Sequence, residues 1–188
     1  MKTYILPSLK MSFLLIIICS VAYPLLIMAI GKAAPGHGAG VTVSAGGRVV
    51  GYENIGQKFT DDSYFQGRPS AVDYNAAGSA GSNKAPSNAA YLVVVKERID
   101  TFLLHNPSIK RAEIPAELVT ASGSGLDPDI SVKAARVQVP RIAKTRNISE
   151  EKVYALIVKH TEGPLLGMFG PQKINVLKLN IELGQITK

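Results

Sequence analysis

The sequence predicts an α+β protein: a single N-terminal transmembrane helix followed by one compact mixed α+β domain outside the cytoplasm. Three observations carry that reading. Residues 11–30, MSFLLIIICSVAYPLLIMAI, contain no charge. A Gly, Ala and Pro-rich stretch, GKAAPGHGAG, follows at 31–40. The remainder, 41–188, mixes strand-like alternation with capped apolar stripes at helical spacing.

The uncharged run matches the roughly 20 residues that a helix needs to cross a bilayer core of about 30 Å. Lys10 and Lys32 flank it, where their aliphatic stems can reach the interfaces. Pro24 lies inside, which a membrane helix tolerates better than a soluble one. A cleaved signal peptide would have a shorter apolar core and a small-residue cleavage site, and AIGKAAPG is a poor one. Cys19 is preceded by bulky Ile18, unlike a lipoprotein acceptor, and reads as a small buried hydrophobe. The expected divisions are an N-terminal tail at 1–10, a membrane helix at 11–31, a tether at 32–40 and a domain at 41–188. Lys2, Lys10 and the amino terminus lean toward the cytoplasm by the positive-inside rule, which places the domain on the other side.

Charge excludes one class of partner. Removing Lys2, Lys10 and Lys32 from the 21 basic residues leaves 18 against 14 acidic ones. These cations are scattered, without the clustered basic face and stacking aromatics that nucleic-acid binding needs.

Along the domain, Val41 and Val43 alternate before Gly46-Gly47, a hairpin signal that precedes Val49 and Val50. A loop at 67–88 follows, with Arg68, Asp73, Asn75, Asn83 and Asn88 set among its glycines and prolines. A plain linker needs no such residues, so an ordered loop is expected, its turns tied by side-chain-to-backbone bonds. Ser87 or Asn88 caps a helix whose apolar face is Leu92, Val95, Ile99, Phe102 and Leu103, ended by Asn106-Pro107. Asp127-Pro128 makes a turn, and Asp129 or Ser131 caps a second helix, which Pro140 ends or kinks. Ser149 opens a third helix with Glu150 and Glu151 in its first turn. The last apolar stretch, KINVLKLNIEL, alternates as a strand with a phase slip at Val176-Leu177.

Catalytic and metal motifs are not found. His37, His105 and His160 are far apart and form no zinc-ligand pattern. No phosphate-cradling G-x-x-x-x-G-K-[ST] is present, and ASGSGLD is not G-x-S-x-G. Asp127 and Asp129 lack the later glutamate of a calcium loop. A membrane-anchored hydrolase using Ser124 or Asp127, or a free-standing binding module, is the alternative to an accessory subunit.

The loops carry more. YFQGRPSAVDYN, GSAGSNKAPSN, VTASGSGLDPDIS and QVPRIAKTRN, in that order, together with the anchor and LNIEL, resemble the C chain of the bacterial Kdp potassium-pumping P-type ATPases, over almost the whole chain. The family pattern near Gly81 usually runs S-G-G-S-N-L-G-P-S-N-P, and Ala80, Lys84, Ala85 and Ala89 depart from it. The resemblance implies a non-catalytic accessory subunit of the bacterial inner membrane. Its implied partners are a channel-like A chain that selects potassium and a B chain that hydrolyses ATP. It also implies a role in assembly, and that of a catalytic chaperone raising the B chain's affinity for ATP. No cofactor is expected to be tightly bound. A nucleotide contact resembling the LSGGQ motif of ABC transporters would fall on Ser122, Gly123, Ser124, Gly125 and Gln138. An extracytoplasmic domain cannot meet cytoplasmic ATP, so a turn and a partner contact are the preferred reading of Gly123-Ser124-Gly125. Partner contacts are expected at Arg68, Asp73, Asn75, Ser82, Asn83, Ser87, Asn88, Asp127 and Arg141.

Overall fold

The structure is a computed structural model and describes residues 2–186, with side chains from Tyr4 onward. The sequence divisions at 1–10 and 41–188 therefore each reach a residue outside the described ones. Two compact units meet at the Thr42/Val43 junction.

The first unit is helical from Lys2, nine residues before the uncharged run begins. Helix α1 (Lys2–Ile17) passes through a wide turn at Ile18–Ala22 into α2 (Tyr23–Ala33). In that turn the Tyr23 N–H reaches Ile18 O, five residues back. Pro24 explains it. A proline lacks its own N–H and its ring presses on the carbonyl four residues earlier, and a π-type turn just before it relieves both. Residues Tyr4–Ala33 make one helix long and apolar enough to cross a membrane, and an 18-residue window within it has mean hydropathy 2.7 with none of that window buried. Pro35–Gly38 then forms a tight turn.

The second unit opens with a hairpin, β1 (Thr42–Ala45) and β2 (Arg48–Tyr52). Gly46 and Gly47 both have positive φ, 58° and 77°, the backbone that a two-residue hairpin turn requires. Helix α3 (Ala89–His105) is capped by Asn88, whose side chain accepts from the Tyr91 N–H at 2.9 Å. The expected apolar face is only partly used: Phe102 is buried, but Leu92 is 52% exposed. Strand β3 (Asp129–Ile130) pairs antiparallel with β4 (Ile174–Asn175), Ile130 opposite Ile174. Ser131 caps α4 (Val132–Arg136), Pro140 sits in the first turn of α5 (Val139–Arg146), and Ser149 caps α6 (Glu150–His160).

The strand expected through KINVLKLNIEL is corrected. Only Ile174 and Asn175 are extended. Asn175 then caps helix α7 (Val176–Leu183), accepting from the Lys178 N–H at 3.1 Å. Val176, Leu179, Asn180 and Leu183 fall at helical spacing and are all buried, so the helix turns one face wholly inward. The core gathers Val139 and Ile142 of α5, Val153, Leu156 and Ile157 of α6, and that α7 face around Phe65 and Ile174.

Candidate functional site

An irregular segment, 53–66, crosses this core without a strand to pair with. Side chains supply its partners instead. Asn180 accepts from the Phe65 N–H at 2.8 Å and donates to Phe65 O at 2.9 Å. Gln138 does the same for the next residue: its Oε1 accepts from the Gln66 N–H at 2.8 Å and its Nε2 donates to Gln66 O at 3.1 Å. Successive residues of an extended chain point their polar groups to opposite sides, so two side-chain amides, one on α7 and one at the N-cap of α5, replace two neighbouring strands.

Arg141, 6% exposed, completes the clamp. Its guanidinium donates to Asp62 O, to Tyr64 O at 3.1 Å, to Gln138 Oε1 at 2.8 Å and to Asn106 Oδ1 at 3.1 Å. Burial pulls its pKa below the ordinary arginine value, opposed by the nearby charges of Asp62 and Asp61. Arg146 donates to Ser63 O at 2.6 Å, and its guanidinium lies 4.9 Å from the centre of the Tyr64 ring.

Two of the sequence-derived site residues stand in this clamp. Gln138 is 0% exposed and its amide is spent on Gln66, Ala134 and Arg141. Arg141 has its donors spent in the same way. Both side chains hold the 53–66 segment to the helices from within the domain.

The remaining residues come together on the other side of that segment. The loops 67–88 and 121–127 are stacked and cross-tied. Arg68 Nη1 lies 3.1 Å from Asp127 Oδ2, the Ser122 N–H donates to Pro69 O at 3.1 Å, and Ser79 Oγ donates to Ser124 O at 2.9 Å. Within the first loop, Ser70 Oγ accepts from the Val72 and Tyr74 N–H groups, the Tyr74 hydroxyl donates to Arg68 O, and Asn75 accepts from the Ala77 N–H. Burial, then the charges of Asp127 and Asp73, push the Tyr74 phenol above its usual pKa, which keeps it a donor. Asp73, Tyr74 and Asn83 hold φ values of 50–58°, so the loop is built from specific left-handed turns. Gly125 has φ +70°, and a Cβ there would lie 2.7 Å from both Ala80 O and Val72 Cγ2. Glycine at 125 is thus demanded twice over, by conformation and by the close approach of the two loops.

This pair of loops is an ordered platform. Ser122 and Gly125 lie inside it, Arg68, Ser82 and Asp127 are half-buried, and Gly123, Ser124, Asp73, Asn75, Asn83, Ser87 and Asn88 are exposed on its surface. Asp73 is engaged by Lys58 at 2.6 Å. Beside it runs a groove of about 550 Å³, lined by Lys58, Gln66, Tyr74, Glu97, Arg98 and Phe102.

Ser124 Oγ accepts from the Leu126 N–H, while His105 and His160 are bonded to Asp62 and Glu182. Among the described residues no group of three or more His, Cys, Asp or Glu is placed to hold a metal. Sequence reasoning also missed an exposed apolar arm, 162–173, whose only sequence signal is the run PLLGMFG.

A helix of membrane-crossing length joined to a small α+β domain with a cross-tied loop platform defines the class of chain: single-helix, with one α+β domain. Residues 5–185 match the family described as KdpC, the c chain of the K+-transporting ATPase. A protein of Flavobacterium psychrophilum named potassium-transporting ATPase KdpC subunit is 54% identical over 178 residues, 95% of this chain and 96% of that one. One of the same name from Phocaeicola vulgatus is 50% identical over 97% of this chain and 98% of its own length. A third, from Caldanaerobacter subterraneus, is 46% identical over 94% and 92%. The chain belongs to the KdpC family of K+-transporting ATPase subunits.

Proposed function

We propose that this chain is a non-catalytic subunit of an ATP-driven, high-affinity potassium uptake complex in the bacterial inner membrane. Its helix at Tyr4–Ala33 anchors it in the bilayer, with the short N-terminal end in the cytoplasm and the α+β domain outside. Its partners are the channel-like chain that selects potassium and the P-type chain that hydrolyses ATP. The observation that carries this reading is the loop platform. Binding residues fall disproportionately on loops that a rigid scaffold positions, and the Arg68–Asp127 pair and Gly125 position these.

The exposed positions Asp73, Asn75, Asn83, Ser87 and Asn88 make the contact, while Arg68, Ser82 and Asp127 hold its shape. The chain serves assembly of the complex and raises the ATP affinity of the P-type subunit through this protein contact. Any ATP effect passes through the partner, because a domain outside the cytoplasm does not meet cytoplasmic ATP. Extraction in mild detergent tests the reading: a stoichiometric complex with both larger chains is expected. Cross-links are expected from 73–88 to the channel-like chain. A chain that purifies alone, or a reporter fused after Lys188 that is active in the cytoplasm, overturns it.

A further inference from the structure

Residues 162–173 leave the body of the domain as a narrow arm. Its base is a bridge between Glu162 and Lys173, its tip a bridge between Leu165 and Phe169. Lys173 fixes the base to the core strand β3, with Nζ 2.8 Å from Asp129 Oδ2 and 3.7 Å from Glu162 Oε2. The tip has the reverse character. From Pro164 to Gln172 there is no charged residue, and Leu165, Leu166, Met168 and Phe169 are 60–79% exposed.

The turn itself is a second observation. Leu166 has φ 54° and Gly167 φ 73°. Asn, Asp or Gly adopts the first of these positions at little cost, whereas a bulky side chain there is strained. A leucine at a solvated turn thus loses twice, in conformation and in exposed apolar surface, unless something apolar receives it.

We propose that this tip inserts into the interfacial layer of the lipid bilayer that holds the chain's own helix. Two features favour lipid. The exposed cluster has no charged residue in its own stretch, 164–172, whereas a docking face for protein carries a polar rim. Eight residues, 34–41, separate α2 from β1, and they span at most about 30 Å when fully extended. A tip too small to hold a free domain on a membrane does so when a tether makes insertion intramolecular. The proposal rests on the helix being in the bilayer and is independent of the side on which the domain lies.

The test uses the full chain in phosphatidylcholine–phosphatidylglycerol vesicles. A bimane label is placed at Leu166→Cys or Met168→Cys in a Cys19→Ser background, with Lys133→Cys as the exposed control and unaltered Cys19 as the reporter on the helix. With nitroxide-bearing lipid, both tip labels are expected to be quenched at least about twofold more than the Lys133→Cys label. Quenching at Cys19 with none at either tip position overturns the arm's role and leaves the anchor standing. No quenching at Cys19 removes the anchor and the proposal with it. Tip labels shielded from aqueous iodide only in the assembled complex, and not reached by lipid nitroxide, assign the arm to a protein partner and overturn it as well.

Discussion

Arg68 Nη1 sits 3.1 Å from Asp127 Oδ2, an ion pair between residues 59 positions apart that joins the two loops of the platform. Both side chains are about one-quarter exposed, so the pair is only partly screened by water. Arg68→Ala removes this tie and the weaker one to Ala121 O. The expected cost in stability is about 1 kcal/mol. The clearer effect is local: proteolysis within 76–86 should speed up well before the domain unfolds, as mass mapping of the cleavage products would show. Unchanged cleavage would mean that the loop is ordered by other contacts.

Gly125→Ala should cost more, about 2 kcal/mol, since a Cβ there meets Ala80 O and Val72 Cγ2 at 2.7 Å on a left-handed backbone. Gly78→Ala is the internal control, because a Cβ at 78 has nothing within 4 Å. Thermal melts of the two variants should therefore separate, with Gly78→Ala close to the parent. Equal melting temperatures would refute the tight approach of the loops.

Gln138→Ala and Asn180→Ala each strip two hydrogen bonds, from the part-buried backbone of Gln66 or the buried backbone of Phe65. Each should lose about 3 kcal/mol, because an unmade buried bond costs more than a made one contributes. The two sites grip consecutive residues, so the double variant should lose less than the sum. A double-mutant cycle by chemical unfolding measures that coupling, and strict additivity would deny the shared segment.

Glu182 gives the domain an acid-sensitive seam between α6 and α7. It is bonded to Lys159 and to His160, and these bonds, Lys159 first, hold its carboxyl below the 4.5 of a free glutamate. A depressed carboxylate stabilises the fold above that free value and loses its effect as pH falls through the lower native one. The melting temperature of the parent should exceed that of Glu182→Gln at pH 7. The gap should close as pH drops below 4.5. A gap that persists in acid would mean that charge is not its cause.

Much of this was legible in the residues because it is local. Asn88, Ser131 and Ser149 cap the helices they precede, and Gly46-Gly47 turns its hairpin, since capping and turn chemistry act over a few positions. The last apolar stretch was misread for a physical reason. Ile174 and Val176, then Leu177, Leu179 and Ile181, fit alternation with one slip, while Val176, Leu179 and Leu183 fit a helix, and the deciding signal was a single cap, Asn175. Gln138 and Arg141 were legible as special residues but not as interior ones. Their partners lie 72 and 77–79 positions away, on a segment with no periodicity of its own. Leu92 shows the opposite failure, an apolar stripe at good helical spacing whose first residue meets no core.

The double grip of Gln138 has one last consequence, for how the protein ages. Hydrolysis of that single amide to a carboxylate would change one atom and little volume. It would also turn a donor toward two carbonyl oxygens, Gln66 O and Ala134 O, into a third oxygen facing them. Slow deamidation at this one position would thus repel the segment it now holds, and old molecules would come apart from the inside while their surface chemistry stayed the same.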